Sequence, residues 1–180
     1  MIMRAFKGKR GIVYKFSNFA IKVKRKGSNA VGRISNEGRC LKKLNKYKIG
    51  PRVYFYNEKL LVMAFIKGDL ILNYFKKHTK KENLDVVKEV FRQCRVLDKL
   101  NINKEEMHHP LKHIIIGKKI VMIDFERCRY SKKPQNVTQF AQFLVSCKFK
   151  VDKEKLRKLL KEYKKSYSEV VYKKIVGLFN

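Results

Sequence analysis

The chain has 180 residues, enough for one domain or two small lobes, and its 44% hydrophobic and 12% aromatic content excludes a disordered segment. No apolar run approaches the ~20 residues that span a bilayer, and the start, MIMRAFKGKRG, has no apolar core before a cleavage site, so a cytoplasmic protein is expected. Lys+Arg 45 against Asp+Glu 15 gives a net charge of +30, a field that attracts nucleotides, RNA or ribonucleoprotein, and Glu does not keep pace with Lys as it would in a thermophile-like surface.

Residues 5–16, AFKGKRGIVYKF, place Gly8 and Gly11 among basic residues in a turn between strands, and Ile12, Val13 and Tyr14 alternate into the next strand. Such a turn lets backbone N–H groups approach phosphate, and Lys9 and Arg10 would add charge. Residues 19–25, FAIKVKR, read as a second strand. Period two puts Lys22 and Lys24 on one face and Ile21 and Val23 on the other. Lys22 can point back under the glycine turn, or it can face solvent like many lysines of this chain. Residues 26–33 read as a loop.

A helix is expected from about Ile34 to Tyr47, with Ile34, Leu41 and Leu44 on one stripe. Glu37 lies on that stripe, and a buried carboxylate needs a cationic partner, which a lysine of the neighbouring strand can supply. Ile49-Gly50-Pro51 ends the helix. Residues 52–57 and 59–66 read as a hairpin joined through Asn57-Glu58. Lys67-Gly68-Asp69 breaks the second strand and starts a helix over Leu70–Lys77. Lys80–Asn83 reads as polar linker, and Leu84–Leu100 as the longest amphipathic helix.

Two β-branched runs, His113–Ile116 and Ile120–Ile123, flank Gly117-Lys118-Lys119 and read as a tight hairpin with Asp124 at its end. Glu105, Glu106, His108, His109, Lys112 and His113 crowd the approach. The cluster suits a bound polyphosphate and its metal, or else it is a polar loop with an Asp capping a turn. Beyond Asp124 a basic loop leads to a helix capped by Asn136 and running to about Ser146, then to one or two lysine-faced helices from Asp152. Cys40, Cys94, Cys128 and Cys147 form no CxxC pair and read as reduced thiols without a zinc framework.

Taken in order, this succession resembles the protein-kinase fold over residues ~5 to ~146, and most of all the small archaeal kinase-like proteins related to RIO kinases and to the kinase of the tRNA-modifying KEOPS complex. GKRGIVYK resembles the phosphate loop, AIK ending at Lys22 the strand lysine, Glu37 its helix partner, LVMAFIKG the linker strand, and IDFE the segment that presents a metal-binding Asp. The resemblance implies a minimal two-lobed α+β fold. An antiparallel N-lobe with one helix would cover 1–66, and a mainly helical C-lobe 67–180 would include the hairpin 113–124.

It also implies serine/threonine kinase-type transfer from ATP with Mg2+. Gly8, Gly11 and Val13 would border the phosphates, Lys22 and Glu37 would hold them, and the backbone of Ala64, Phe65 and Ile66 would meet adenine. Asp124 and His113 would take the metal, Glu106 the base position and Lys112 the γ-phosphate. Asn103-Lys104-Glu105-Glu106 stands where the family has HxD, and Glu126 replaces the glycine after Asp-Phe. A pseudokinase or ATPase acting as a regulatory or RNA-associated binding protein is the alternative, and an RNA-binding domain without a nucleotide site is a third reading. The acceptor would be a protein or RNA.

Overall fold

A computed structural model describes residues 4–8, 11–25 and 32–179. They fall into two compact units: residues up to Asp69 with His113–Cys128, and Leu70–Lys112 with Arg129 onward. The hairpin that the sequence groups with the second lobe thus packs with the first unit. Backbone packing is the reason. A Cβ on Gly68 would strike the carbonyl of Ile116 and come within 2.8 Å of the Gly117 nitrogen, so the tip of the hairpin lies directly on the Lys67–Gly68 segment.

The first unit is built on an antiparallel sheet of β1 (Arg4–Lys7), β2 (Gly11–Phe16), β3 (Phe19–Lys24), β4 (Val53–Tyr56) and β5 (Leu60–Ala64), in the order β1-β2-β3-β5-β4. Val13 stands opposite Lys22, and Lys22 opposite Leu61, so these three share one face. Ala20 and Met63 pair on the same face. Helix α1 (Arg33–Asn45) covers it, with Ile34, Glu37, Gly38, Cys40, Leu41 and Leu44 buried. Leu41 and Leu44 are fully buried, each worth about 1.5–3 kcal/mol. Gly38 is where the sheet comes closest, because a side chain there would collide with Tyr56.

The helix stops at Asn45, two residues short of the expected end. The Asn45 amide donates to the carbonyls of Ile49 and Pro51 and its oxygen accepts from the Val53 nitrogen, so this side chain clips the turn into β4.

In the second unit, β6 (Asp69–Leu70) leads into α2 (Ile71–Lys77) and α3 (Lys80–Lys99). The expected linker at 80–83 is the first turn of α3. Thr79 accepts from the Glu82 nitrogen while Glu82 accepts from the Thr79 nitrogen, a capping box that starts the helix before its apolar stripe does. Then follow β7 (Ile102–Asn103) and a 3-10 turn over Glu105–His108. The hairpin of β8 (Ile114–Ile116) and β9 (Ile120–Met122) returns to the first unit, with Ile115 opposite Val121.

β10 (Arg129–Tyr130) pairs with β7, and α4 (Asn136–Ser146), α5 (Lys153–Ser166) and α6 (Glu169–Gly177) complete the second unit. Asn136 is not the cap of α4 but its first residue, fully buried. The acceptor for this helix start is Asp98 of α3, which receives Asn136 N at 3.0 Å, Asn136 Nδ2 at 2.7 Å and Val137 N at 3.3 Å, with the Tyr163 hydroxyl at 3.0 Å.

The cysteines need one correction. Cys40 of α1 and Cys128 are joined in a disulfide across 88 residues of sequence, a pairing that only the fold brings about, while Cys94 and Cys147 are free. No helix among the described residues is long and apolar enough to cross a membrane.

Candidate functional site

The first unit brings Lys22, Glu37 and Asp124 together at one point. Lys22 comes from the α1-facing side of β3, Glu37 from the buried stripe of α1, and Asp124 from just beyond β9. The Lys22 ammonium donates to Glu37 Oε2 at 2.6 Å and to Asp124 Oδ1 at 2.9 Å. Glu126 Oε2 stands 3.4 Å from the same nitrogen.

Burial alone would lower the Lys22 ammonium, but the carboxylates of Glu37 and Asp124 override it and hold it well above its ordinary range. Burial pushes the Glu37 carboxyl up, against the downward pull of Lys22. Both Glu37 oxygens accept hydrogen bonds, one from Lys22 and the other from the Phe125 nitrogen at 3.0 Å, which suits the carboxylate.

The segment after β9 is strapped to α1. Asn36 Nδ2 donates to the carbonyls of Glu126 and Cys128 at 3.1 and 3.0 Å, Phe125 is fully buried, and Arg33 Nη1 lies 3.4 Å from Glu126 Oε1. Within this tightly held turn Asp124 adopts φ 62, a left-handed conformation that non-glycine residues seldom take and Asp tolerates better than most. Such a conformation persists where the surroundings over-determine it, here to present a half-exposed carboxylate beside a lysine. Among the described residues, Glu37, Asp124 and Glu126 form a group of acids close enough to hold a metal ion. Glu126 figures in the sequence only as a departure from glycine. The signal that could have found it is a second acid two residues after Asp124 in a chain poor in acids.

His113 also reaches this site, with Nδ1 3.8 Å from Asp124 Oδ2. Gly11 lies against Lys22: a Cβ there would come 3.0 Å from the Val23 carbonyl and 3.7 Å from Lys22 Cε. Val13 stands opposite Lys22. The Gly8 nitrogen donates to the Gly11 carbonyl at 2.9 Å, so that N–H closes the turn instead of facing outward. Lys9 and Arg10 lie outside the described residues.

The linker strand also commits two of its donors within the first unit. The Ala64 nitrogen donates to Arg52 O and the Phe65 nitrogen to Asn18 O, both at 2.8 Å, so these donors extend the sheet ladder. The Phe65 ring packs on Phe6 and carries the Lys15 ammonium 4.8 Å above it.

Glu106 and Lys112 belong to the second unit. Glu106 is buried and takes the ammonium of the fully buried Lys104 at 3.1 Å, while Lys112 is exposed. His108, also of the second unit, turns its Nδ1 to the Glu105 carbonyl, and Glu105 accepts from Arg129.

No family model matches the chain, and no curated protein matches it in sequence. Solved structures do. The Rio2 kinase of Chaetomium thermophilum, crystallised as an ADP/Mg2+-phosphoaspartate complex, aligns with a TM-score of 0.60 at 11% identity, over 97% of this chain. This is a protein-kinase-like fold. The chain spans 60% of the length of that Rio2 kinase. Within the kinase-like fold, the small antiparallel sheet with one helix and the helical remainder are as the motif order implies, at an identity too low to carry more than architecture.

Proposed function

We propose that the chain is a phosphotransferase that uses ATP and Mg2+, of the serine/threonine kinase type. The observation that carries this reading is the Lys22 ammonium bound at 2.6 and 2.9 Å by acids from a helix and from a hairpin end 102 residues away. A buried lysine serving stability alone needs one carboxylate. Two more beside it, one in a left-handed turn, are what a site that exchanges partners requires.

In this reading Asp124, with Glu126 or His113, would hold Mg2+, which would supply positive charge against the phosphate oxygens. The oxygen donors of the acids suit that hard cation. Lys22 lets go of Asp124 and contacts the phosphates, and Glu37 fixes its ammonium in place. Gly11 keeps the strand bare of side chain where the phosphates approach. Adenine is met by the carbonyls of the linker strand and by Ile66, since the Ala64 and Phe65 N–H groups are committed. In the transfer the acceptor hydroxyl would attack the γ-phosphorus as the bond to the bridging oxygen of ADP breaks, and the resemblance gives Glu106 the role of taking the hydroxyl proton. The resemblance gives the exposed Lys112 the role of neutralising the γ-phosphate.

The likeness of the motif set to archaeal RIO-related and KEOPS-type kinases supports a protein or RNA acceptor in the cytoplasm. A second reading, nucleotide binding without transfer, is favoured by the ion pair between Lys104 and Glu106, which occupies the base candidate.

Incubation with γ-labelled ATP and Mg2+ separates the two. Transfer of label to protein or water by the wild type, lost in Asp124→Ala, supports the first reading. A thermal shift by Mg-ATP without label transfer supports the second. A Lys22→Ala variant of undiminished rate would rule out the role of that residue.

A further inference from the structure

The sheet of the first unit has a second face, opposite α1. Residues paired across the strands share a face, so Phe16 with Phe19, Tyr14 with Ile21, Ile21 with Val62 and Val62 with Phe55 all lie away from Lys22 and α1. Tyr54 sits at the irregularity in β4, and its ring meets that of Phe19 edge-on at 5.1 Å. Among the described residues nothing covers this face: Phe16 is 43% exposed, Phe19 38%, Tyr54 50% and Phe55 53%.

A row of half-exposed rings on a sheet marks a binding surface, because a folded chain gains nothing by leaving them wet. The charge around them narrows the partner. None of the five strands contains an acidic residue, and register turns Arg4, Lys15, Lys22 and Lys24 to the α1 side, so the cation beside the rings comes from outside the strands. Arg52, just before β4, stands 5.5 Å over the Tyr54 ring. Another protein docking on apolar rings gains little from an acid-free sheet with a guanidinium over one of the rings. A strand of nucleic acid gains on both counts, since bases stack on rings and phosphates meet the cations.

We propose that the exposed face of this sheet is a stacking platform for single-stranded nucleic acid. The chain's +30 charge supplies long-range attraction, and Phe16, Phe19, Tyr54 and Phe55 supply the local contact. The platform is independent of phosphoryl transfer, because it uses the face that Lys22 does not.

The test titrates the full chain with a fluorescein-labelled 12-mer of uridine, the matching oligothymidine and a duplex of equal length, at several salt concentrations. The single strands are expected to bind more tightly than the duplex, and the ratio of RNA to DNA affinity identifies the natural source. Phe16→Ala and Phe55→Ala are expected to weaken binding by about 5- to 150-fold each, the range for loss of one stacked base. Their melting temperatures should fall by only a few degrees, because about half of each ring is already exposed. Since the chain has no tryptophan, Phe16→Trp provides a direct reporter, and its fluorescence should be quenched when a base stacks on the indole.

Lys22→Ala is expected to bind the oligonucleotides normally even where it abolishes any response to Mg-ATP, so failure of one reading is distinguishable from failure of the other. Absence of binding, binding insensitive to both alanine variants, unquenched indole fluorescence in the Phe16→Trp variant, or preference for the duplex would each overturn the platform.

Discussion

Each unit buries a polar network, and the two networks differ in a way that separates support from chemistry. In the second unit Asp98 receives four hydrogen bonds from Asn136, Val137 and Tyr163, and Tyr163 in turn accepts from Arg95 Nη1 at 2.9 Å. Asp98 is 3% exposed. Every member has a fixed partner and the network joins α3, α4 and α5. In the first unit Lys22 is shared among Glu37, Asp124 and Glu126, and Asp124 is left partly open to solvent in a strained conformation. Burial of charge is common to both. Surplus carboxylate, strain and access belong only to the cluster around Lys22, and they are what point to a ligand.

The comparison would fail most visibly at Asp98. Its replacement by Ala leaves buried donors unsatisfied at about 1–3 kcal/mol each, so a loss of about 3–5 kcal/mol is expected in urea unfolding. Next in size is Lys22→Ala, expected to remove about 2–5 kcal/mol of transition-state binding in the labelled-phosphate assay, while the helical unit keeps its circular dichroism.

Asp124→Asn should keep the fold, because Asn also tolerates the left-handed turn, yet lose the stabilisation by Mg-ADP. For wild type that amounts to about 2.7 kcal/mol at a hundredfold excess over Kd, and calorimetric melts read it. If Asp98→Asn abolished the nucleotide response while Asp124→Asn spared it, the assignment of the two networks would be reversed.

The smallest effect tests the rigidity of the helical unit. Burial pushes the Cys94 thiol well up, so it should resist iodoacetamide at pH 8 until denaturant is added. The unfolded chain loses that proton first. Stability should therefore fall as pH climbs past the ordinary thiol value of about 8.5, and Cys94→Ala should blunt that slope.

What the sequence made legible was whatever repeats with a period or sits at a chain break. The stripe of Ile34, Glu37, Leu41 and Leu44 places an acid on a buried face, and alternation places Lys22 on the opposite face from Ile21. Asp124 follows a β-branched run directly. These local rules locate the three groups that meet. The misses are long-range. Nothing near Asn136 reveals that a carboxylate from α3 would cap its helix, and nothing near Cys40 points to Cys128. The commitment of the Ala64 and Phe65 nitrogens depends on Arg52 and Asn18, which are neighbours only in the sheet. Lys80–Asn83 was obscured by its polarity, although Thr79 and Glu82 spell a capping box. The aromatic face of the sheet was spelled out in VYFY and FSNF, but only register shows that those rings share a side.

The cluster around Lys22 sets three acids, Glu37, Asp124 and Glu126, against two cations, Lys22 and Arg33. It is a locally anionic spot on a molecule of net charge +30. A divalent ion approaching it must cross a repulsive envelope whose reach, about 10 Å at 0.1 M salt, shrinks as electrolyte is added. On the proposal that this cluster takes Mg2+, added inert salt should tighten the binding, the reverse of its effect on a metal site set in an acidic surface.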